Sequence, residues 1–188
     1  MPLEQLWAGW RHDYVTAATE HERAVDDGAV GVDPTGDSAV GDSAVGGGDC
    51  VFCRIEASGP PSVDNGIVFV GDCTFAVLNA YPYASGHLLV LPRRHLADMA
   101  ELTDDEAAEL WATTRRAVAV LNAAYRPDGM NLGANLGRAA GAGIPRHLHL
   151  HVVPRWSGDT NFMTSVGGIR VMPETLATAW EKITAAWS

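Results

Sequence analysis

Two apolar runs rich in β-branched and aromatic residues, Ile67-Val68-Phe69-Val70 and Cys73-Thr74-Phe75-Ala76-Val77-Leu78, flank the turn dipeptide Gly71-Asp72. This arrangement predicts a β-hairpin. His87-Leu88-Leu89-Val90-Leu91 predicts a third strand, and residues 130–136 and 148–153 two more. The pattern changes at Thr103-Asp104-Asp105-Glu106, a capping box that opens a helix. Beyond it Leu110, Trp111, Thr114, Val118 and Leu121 fall at helical spacing as far as about Tyr125. Residues 176–187 predict a closing helix. Strands before and after one long helix predict an α+β domain with a largely antiparallel sheet.

The N-terminal quarter is different material. Residues 3–25 carry a helical stripe of Leu6, Trp7, Trp10 and Tyr14 that requires a partner surface. Residues 28–49 hold few large apolar side chains and a tandem repeat, Gly36-Asp37-Ser38-Ala39-Val40 followed by Gly41-Asp42-Ser43-Ala44-Val45. Such a stretch buries too little to offset its ordering entropy, so a flexible insertion is expected. The predicted organisation is a helical arm over 1–27, the insertion over 28–49 and a compact domain over 50–188.

Composition narrows the function classes. A net charge of -10 with 13 Lys+Arg over 188 residues supplies no basic field for nucleic acid or an anionic membrane. Small anionic ligands remain open, because a few arginines and backbone amides suffice for them. No run approaches the roughly 20 apolar residues of a membrane span, and no basic leader precedes an apolar core, so a cytoplasmic protein is expected. Three cysteines disfavour a disulfide framework and leave Cys50 and Cys53 for metal or redox chemistry, with Cys73 expected in the core.

The candidate chemistry centres on Arg146-His147-Leu148-His149-Leu150-His151-Val152-Val153-Pro154-Arg155. Strand alternation puts all three imidazoles on one face and Leu148, Leu150 and Val152 on the other. A neutral imidazole is populated at pH 7 and can attack phosphorus without a separate base. Gly133, Gly137, Gly141 and Gly143 would let backbone amides approach an oxyanion, and His87, Arg138, His151 and Arg155 are candidate charge-stabilising groups. Cys50-Val51-Phe52-Cys53 is open to a metal, redox or coincidental reading. Tetrahedral zinc would need two further N or S donors, for which His95 and one member of the histidine run are the candidates.

The run His147-Leu148-His149-Leu150-His151-Val152-Val153 resembles the pattern that names the histidine triad (HIT) superfamily of nucleotide hydrolases and transferases. Cys50-Val51-Phe52-Cys53, Phe75-Ala76-Val77-Leu78-Asn79, Ser85-Gly86-His87-Leu88-Leu89-Val90 and Pro92-Arg93-Arg94-His95 extend the resemblance over roughly residues 50–165. Leu6-Trp7-Ala8-Gly9-Trp10-Arg11 and the segment from Pro154-Arg155-Trp156 to Phe162-Met163 look like the diadenosine tetraphosphate phosphorylase branch.

The resemblance implies a HIT-like fold, a homodimer, and His149 as a nucleophile that carries a nucleoside monophosphate as a phosphoramidate. It implies His151 at the transferred phosphate, His87 orienting the site, Asn79 at the ribose and Asn135 in the strand bordering the phosphates. Arg138, Gly141, Gly143 and Trp156 complete the implied nucleotide and phosphate contacts. Cys50, Cys53, His95 and His147 would hold a structural zinc. Gly143 departs from the family, many members of which carry a Gln or Ser side chain there. The implied substrate is an adenine nucleotide or dinucleoside polyphosphate, with inorganic phosphate as the acceptor. The alternatives are a hydrolase or nucleoside phosphoramidase that uses water, and a non-catalytic adenine-nucleotide-binding protein.

Overall fold

The computed structural model describes residues 50–159 and 173–187. The expected N-terminal arm, the insertion over 28–49 and the part of the phosphorylase-like segment from 160 onward lie outside the described residues.

The described chain runs α1 (Val51–Glu56), β1 (Ile67–Val70), β2 (Thr74–Leu78), β3 (Leu88–Pro92), α2 (Asp104–Tyr125), β4 (Gly129–Ala134), β5 (Leu150–Arg155) and α3 (Leu176–Trp187), with 3₁₀ turns at Met99–Glu101 and Arg138–Ala140. The five strands form one sheet in the order β1-β2-β3-β5-β4, antiparallel throughout. The α+β class is therefore as expected. The capping box forms as its spacing predicts: Thr103 Oγ1 accepts from Glu106 N, and Thr103 N donates to the Glu106 carboxylate at 2.8 Å. No helix among the described residues is long and apolar enough to cross a membrane.

Period-2 alternation sorts the strand residues onto two faces. Leu88, Val90, Leu150 and Val152 pack with Leu110, Ala117 and Leu121 of α2 and Ala179, Ile183 and Trp187 of α3. Phe75, Val77, Leu89 and Leu91 pack on the opposite face with Ile67 and with Phe52 of α1. Each fully buried leucine contributes roughly 1.5–3 kcal/mol, so both layers hold the sheet in place. Arg116 Nη2 donates to Trp187 O at 2.6 Å and Trp180 Nε1 to Ile67 O at 2.7 Å, tying α3 to both α2 and β1.

Two local expectations are corrected. The strand expected over 148–153 begins at Leu150, so His147 and His149 lie in the segment leading into it. The ladder with β3 ends at Val90↔Leu150 because β3 closes on Pro92, which has no N–H to donate. The Pro92 carbonyl instead takes the His147 ring, while Leu148 N donates to Leu96 O at 2.7 Å. Cys73, expected in the core, is half-buried in the β1–β2 turn, where its N–H and that of Thr74 bind the Glu109 carboxylate at 2.9 and 3.1 Å. The short helix α1, which places Cys50 at its N-cap and Cys53 within its first turn, was too brief to show a period.

Candidate active site and metal centre

The histidines gather on the α1 side of the sheet. His151 sits in β5 opposite Leu89 of β3 and Gly133 of β4, and that glycine leaves its flank open. His87 stands immediately before β3 and is fully buried. Gly86 makes this placement possible: its φ is +74°, and a Cβ there would lie 2.7 Å from the Tyr125 ring.

One corner of the site has the chemistry of a metal centre. His147 donates from Nε2 to Pro92 O at 2.9 Å, which leaves its Nδ1 lone pair directed at Cys50 Sγ (3.4 Å) and Cys53 Sγ (3.5 Å). His95 Nδ1 lies 3.4 Å from Cys53 Sγ, and the four ligand atoms are all within 4.8 Å of one another. Tetrahedral zinc with ordinary Zn–S and Zn–N bonds separates S from N by about 3.6 Å, so both the donor set and its spacing fit that ion. Burial, then the neighbouring Cys50, pushes the Cys53 thiol up to about 11. That thiol stays protonated unless a cation claims it. Arg93 Nε pairs with Glu56 at 2.8 Å, fixing α1 against the end of β3.

The other corner is arranged for reaction. His149 Nδ1 donates to His147 O at 2.8 Å, so its Nε2 carries the lone pair. Burial lowers its basicity and favours the neutral ring. Phe52 packs on both His147 and His149, with ring centroids at 5.6 and 5.2 Å. The His151 ring lies 5.1 Å from that of His149. Burial, then His149, pushes His151 down to about 4, so it too is neutral at pH 7. Tyr83 N donates to His87 Nδ1 at 3.1 Å, which puts the His87 proton on Nε2, 2.9 Å from His151 Nδ1. His151 must then carry its own proton on Nε2, a buried atom with no partner. A lone pair on His149 and an N–H on His151 stand side by side, suited to attack on and stabilisation of a phosphoryl group.

Other expected residues fall at varying distances from this pair. Asn79 is at the site, with Nδ2 3.3 Å from His87 Nδ1 and Oδ1 accepting from Tyr81 N. Asn135, Arg138, Gly141 and Gly143 share the β4–β5 loop, which springs from the Ala134↔Leu150 end of the pair next to His149, and Asn135 Nδ2 donates to Gly141 O. Arg155 is at the far end of β5, gripped by Asp159 at 2.6 and 2.7 Å and bonded to Asn131, so it does not join the histidines. Trp156 lies edge-on to Tyr125 at 6.3 Å at the C-terminal end of α2. Sequence reasoning missed Phe52 and Tyr83 as site residues. Phe52 was legible only as the spacer of the C-x-x-C, and Tyr83 is one aromatic in a loop.

The chain is similar to several known proteins. The chain is 46% identical over 122 residues to AP-4-A phosphorylase of Mycobacterium tuberculosis (strain ATCC 25618 / H37Rv), a match covering 65% of this chain. The match spans 63% of that relative, less than two thirds of its length. It is 33% identical over 108 residues to the bifunctional bis(5'-adenosyl)-triphosphatase/adenylylsulfatase FHIT of Arabidopsis thaliana, covering 57% of this chain and 59% of that one. The crystal structure of a Zn-bound histidine triad family protein from Mycobacterium smegmatis superposes with a TM-score of 0.59 at 28% identity, covering 73% of this chain and 92% of that one. The family model described as HIT domain matches residues 61–158, more than half of the sequence, and the chain belongs to that family.

Proposed function

We propose that this protein is a nucleotidyl-transferring HIT enzyme that cleaves dinucleoside polyphosphates, diadenosine tetraphosphate first among them, through an AMP-histidine intermediate on His149. The observation that carries this reading is the 2.8 Å bond from His149 Nδ1 to His147 O, which leaves Nε2 as a neutral nucleophile beside the unpartnered His151 Nε2–H. The likeness to AP-4-A phosphorylase supports the substrate class.

In the first step the His149 Nε2 lone pair attacks the α-phosphorus. The N–P bond forms, the P–O bond to the polyphosphate breaks, and ATP leaves from diadenosine tetraphosphate. His151 Nε2–H donates to a phosphoryl oxygen as charge develops there, the role an oxyanion-stabilising donor plays in a water-poor site. In the second step an oxygen of inorganic phosphate attacks the same phosphorus, the P–N bond breaks, and ADP is released with His149 restored. Phosphate must be held in place to outcompete water at about 55 M. The glycine-rich β4–β5 loop with Arg138 is our candidate for that hold, and the missing side chain at Gly143 leaves room for a second anion.

Cys50, Cys53, His95 and His147 would hold zinc, as their donor chemistry and spacing support. That ion would be structural, since four protein ligands leave no open position for a substrate. The homodimer implied by the family likeness belongs to the same reading. Among the described residues β4 is an edge strand of the sheet, and Leu132 on it is 48% exposed.

Nucleotide products separated after reaction with diadenosine tetraphosphate, with and without inorganic phosphate, test the proposal. ADP and ATP formed only when phosphate is present support phosphorolysis. AMP with ATP under both conditions makes the protein a hydrolase, and absence of turnover leaves a nucleotide-binding protein.

A further inference from the structure

We propose that Tyr83 is a positioning residue for the His87–His151 pair: its ring lies over both imidazoles and keeps their shared hydrogen bond dry, so that His151 presents a proton, not a lone pair, to the ligand. The kinetic part of this inference rests on the function proposed above. Tyr83 stands on the loop between β2 and β3, and its ring is nearly parallel to that of His151, at 17° and 5.7 Å between centroids. It is also 4.6 Å from the His87 ring. The same residue acts a second time through its backbone, since its N–H donates to His87 Nδ1 at 3.1 Å.

These two contacts operate on different links of one relay. The amide, helped by Asn79 Nδ2 at 3.3 Å, holds the His87 proton on Nε2. The bond from His87 Nε2 to His151 Nδ1, 2.9 Å long, then holds the His151 proton on its outer nitrogen. That second bond is the vulnerable one. Water reaching it could donate to His151 Nδ1 or accept from His87 Nε2, and either competes with the direct bond. A His151 ring released from His87 can shift its proton to Nδ1 and turn a lone pair toward the site, where it would repel a phosphoryl oxygen. The stacked ring blocks that access. Tyr83 is itself 50% exposed, so the fold does not need it as core. An aromatic left half in water on top of one buried and one half-buried histidine is more readily explained by what it shields than by what it buries.

The test uses the full-length protein in four forms, wild type, Tyr83→Phe, Tyr83→Leu and Tyr83→Ala, labelled with ¹⁵N-histidine. Proton–nitrogen correlation spectra of the imidazoles report the tautomer of His87 and His151 in the protein alone, and turnover of diadenosine tetraphosphate gives kcat and KM. We expect Tyr83→Phe to keep the wild-type tautomers and a kcat within about twofold. Tyr83→Ala should mix the His151 tautomers and lower kcat on the order of tenfold with KM little changed, a fraction of the 10²–10⁴ that a placed proton donor supplies. Tyr83→Leu, which keeps bulk without a flat ring, should fall between them and stands in if the alanine variant melts early. Wild-type tautomers and kcat in Tyr83→Ala overturn the proposal, as does a loss confined to KM or a Tyr83→Phe as impaired as the alanine. If the wild type turns over no dinucleoside polyphosphate, the proposed function fails, while the tautomer spectra still decide the role of Tyr83.

Discussion

His147 and His149 stand two residues apart, both buried, and have opposite chemistry. His147 spends its Nε2 proton on the Pro92 carbonyl and turns Nδ1 toward two sulfurs. His149 spends its Nδ1 proton on the His147 carbonyl and turns Nε2 toward the open side of the site. In each ring a backbone oxygen chooses the tautomer, and the nitrogen left over does the chemistry. The metal corner and the reaction corner therefore differ less in residue type than in which carbonyl lies within reach. They are also joined, because the carbonyl that orients His149, our proposed nucleophile, belongs to His147, a candidate metal ligand.

The largest effect is expected at His149. His149→Ala is expected to abolish turnover while nucleotide affinity stays within about tenfold, because the covalent route is lost and the pocket is not. Acid-labile adenylylation in the wild type and its absence in the variant would complete the assignment. Retention of more than a small fraction of the wild-type rate would move the nucleophile elsewhere.

His151 should come next, with kcat for His151→Asn lower by about 10². Its titration also makes stability depend on pH. The folded pKa, about 4, is below the ordinary imidazole value of 6.5, so the unfolded chain binds the extra proton first as pH falls. The stability gained by burying the neutral ring is complete above 6.5 and is lost as pH drops toward 4. Denaturant midpoints measured across that window should fall less steeply in His151→Asn than in the wild type, and equal slopes would contradict the assignment.

The sequence made these roles legible to different depths. Alternation named the three histidines, and donor counting left His95 and one triad member as partners for Cys50 and Cys53. The antiparallel sheet and the long helix followed from turn chemistry and a capping box, both of which are local. What was not legible depends on long-range backbone. Pro92 stops the ladder and so keeps His147 and His149 out of the strand, and that depends on which strand lies beside β5. Tyr83 matters because the loop folds it over two histidines, one of them 68 residues away in the chain. Arg155 carried the right charge, and a local partner four residues on, Asp159, claims it.

At the metal corner, Cys53→Ser should remove bound metal and lower thermal stability without first touching the nucleophile. Metal binding to such a site is linked to folding, so loss of about 3 kcal/mol or more is expected, a fall of at least about 6 °C in the midpoint for a domain of this size. Metal content by elemental analysis and melting with and without chelator would check this. Wild-type protein purified without chelator that holds no stoichiometric zinc would return the cysteines to a packing role.

The smallest effect concerns the brace behind His95. Arg94, the preceding residue, donates to both oxygens of Glu106 at 2.8 and 2.7 Å and to Glu101 O at 2.6 Å, which ties the segment carrying His95 to the start of α2. The Arg94 hydrogen bonds, then that from Thr103 N, hold the Glu106 carboxyl down to about 2. Because the folded value is depressed below the ordinary glutamate value of 4.5, this contribution is present above pH 4.5 and is lost as pH falls toward 2. Glu106→Gln should therefore melt slightly below the wild type at neutral pH, with metal content and turnover nearly unchanged, and the gap should close on acidification. A gap that stays constant down to pH 2 would mean that the capping contacts with Thr103, rather than the charge on the carboxylate, are what Glu106 supplies.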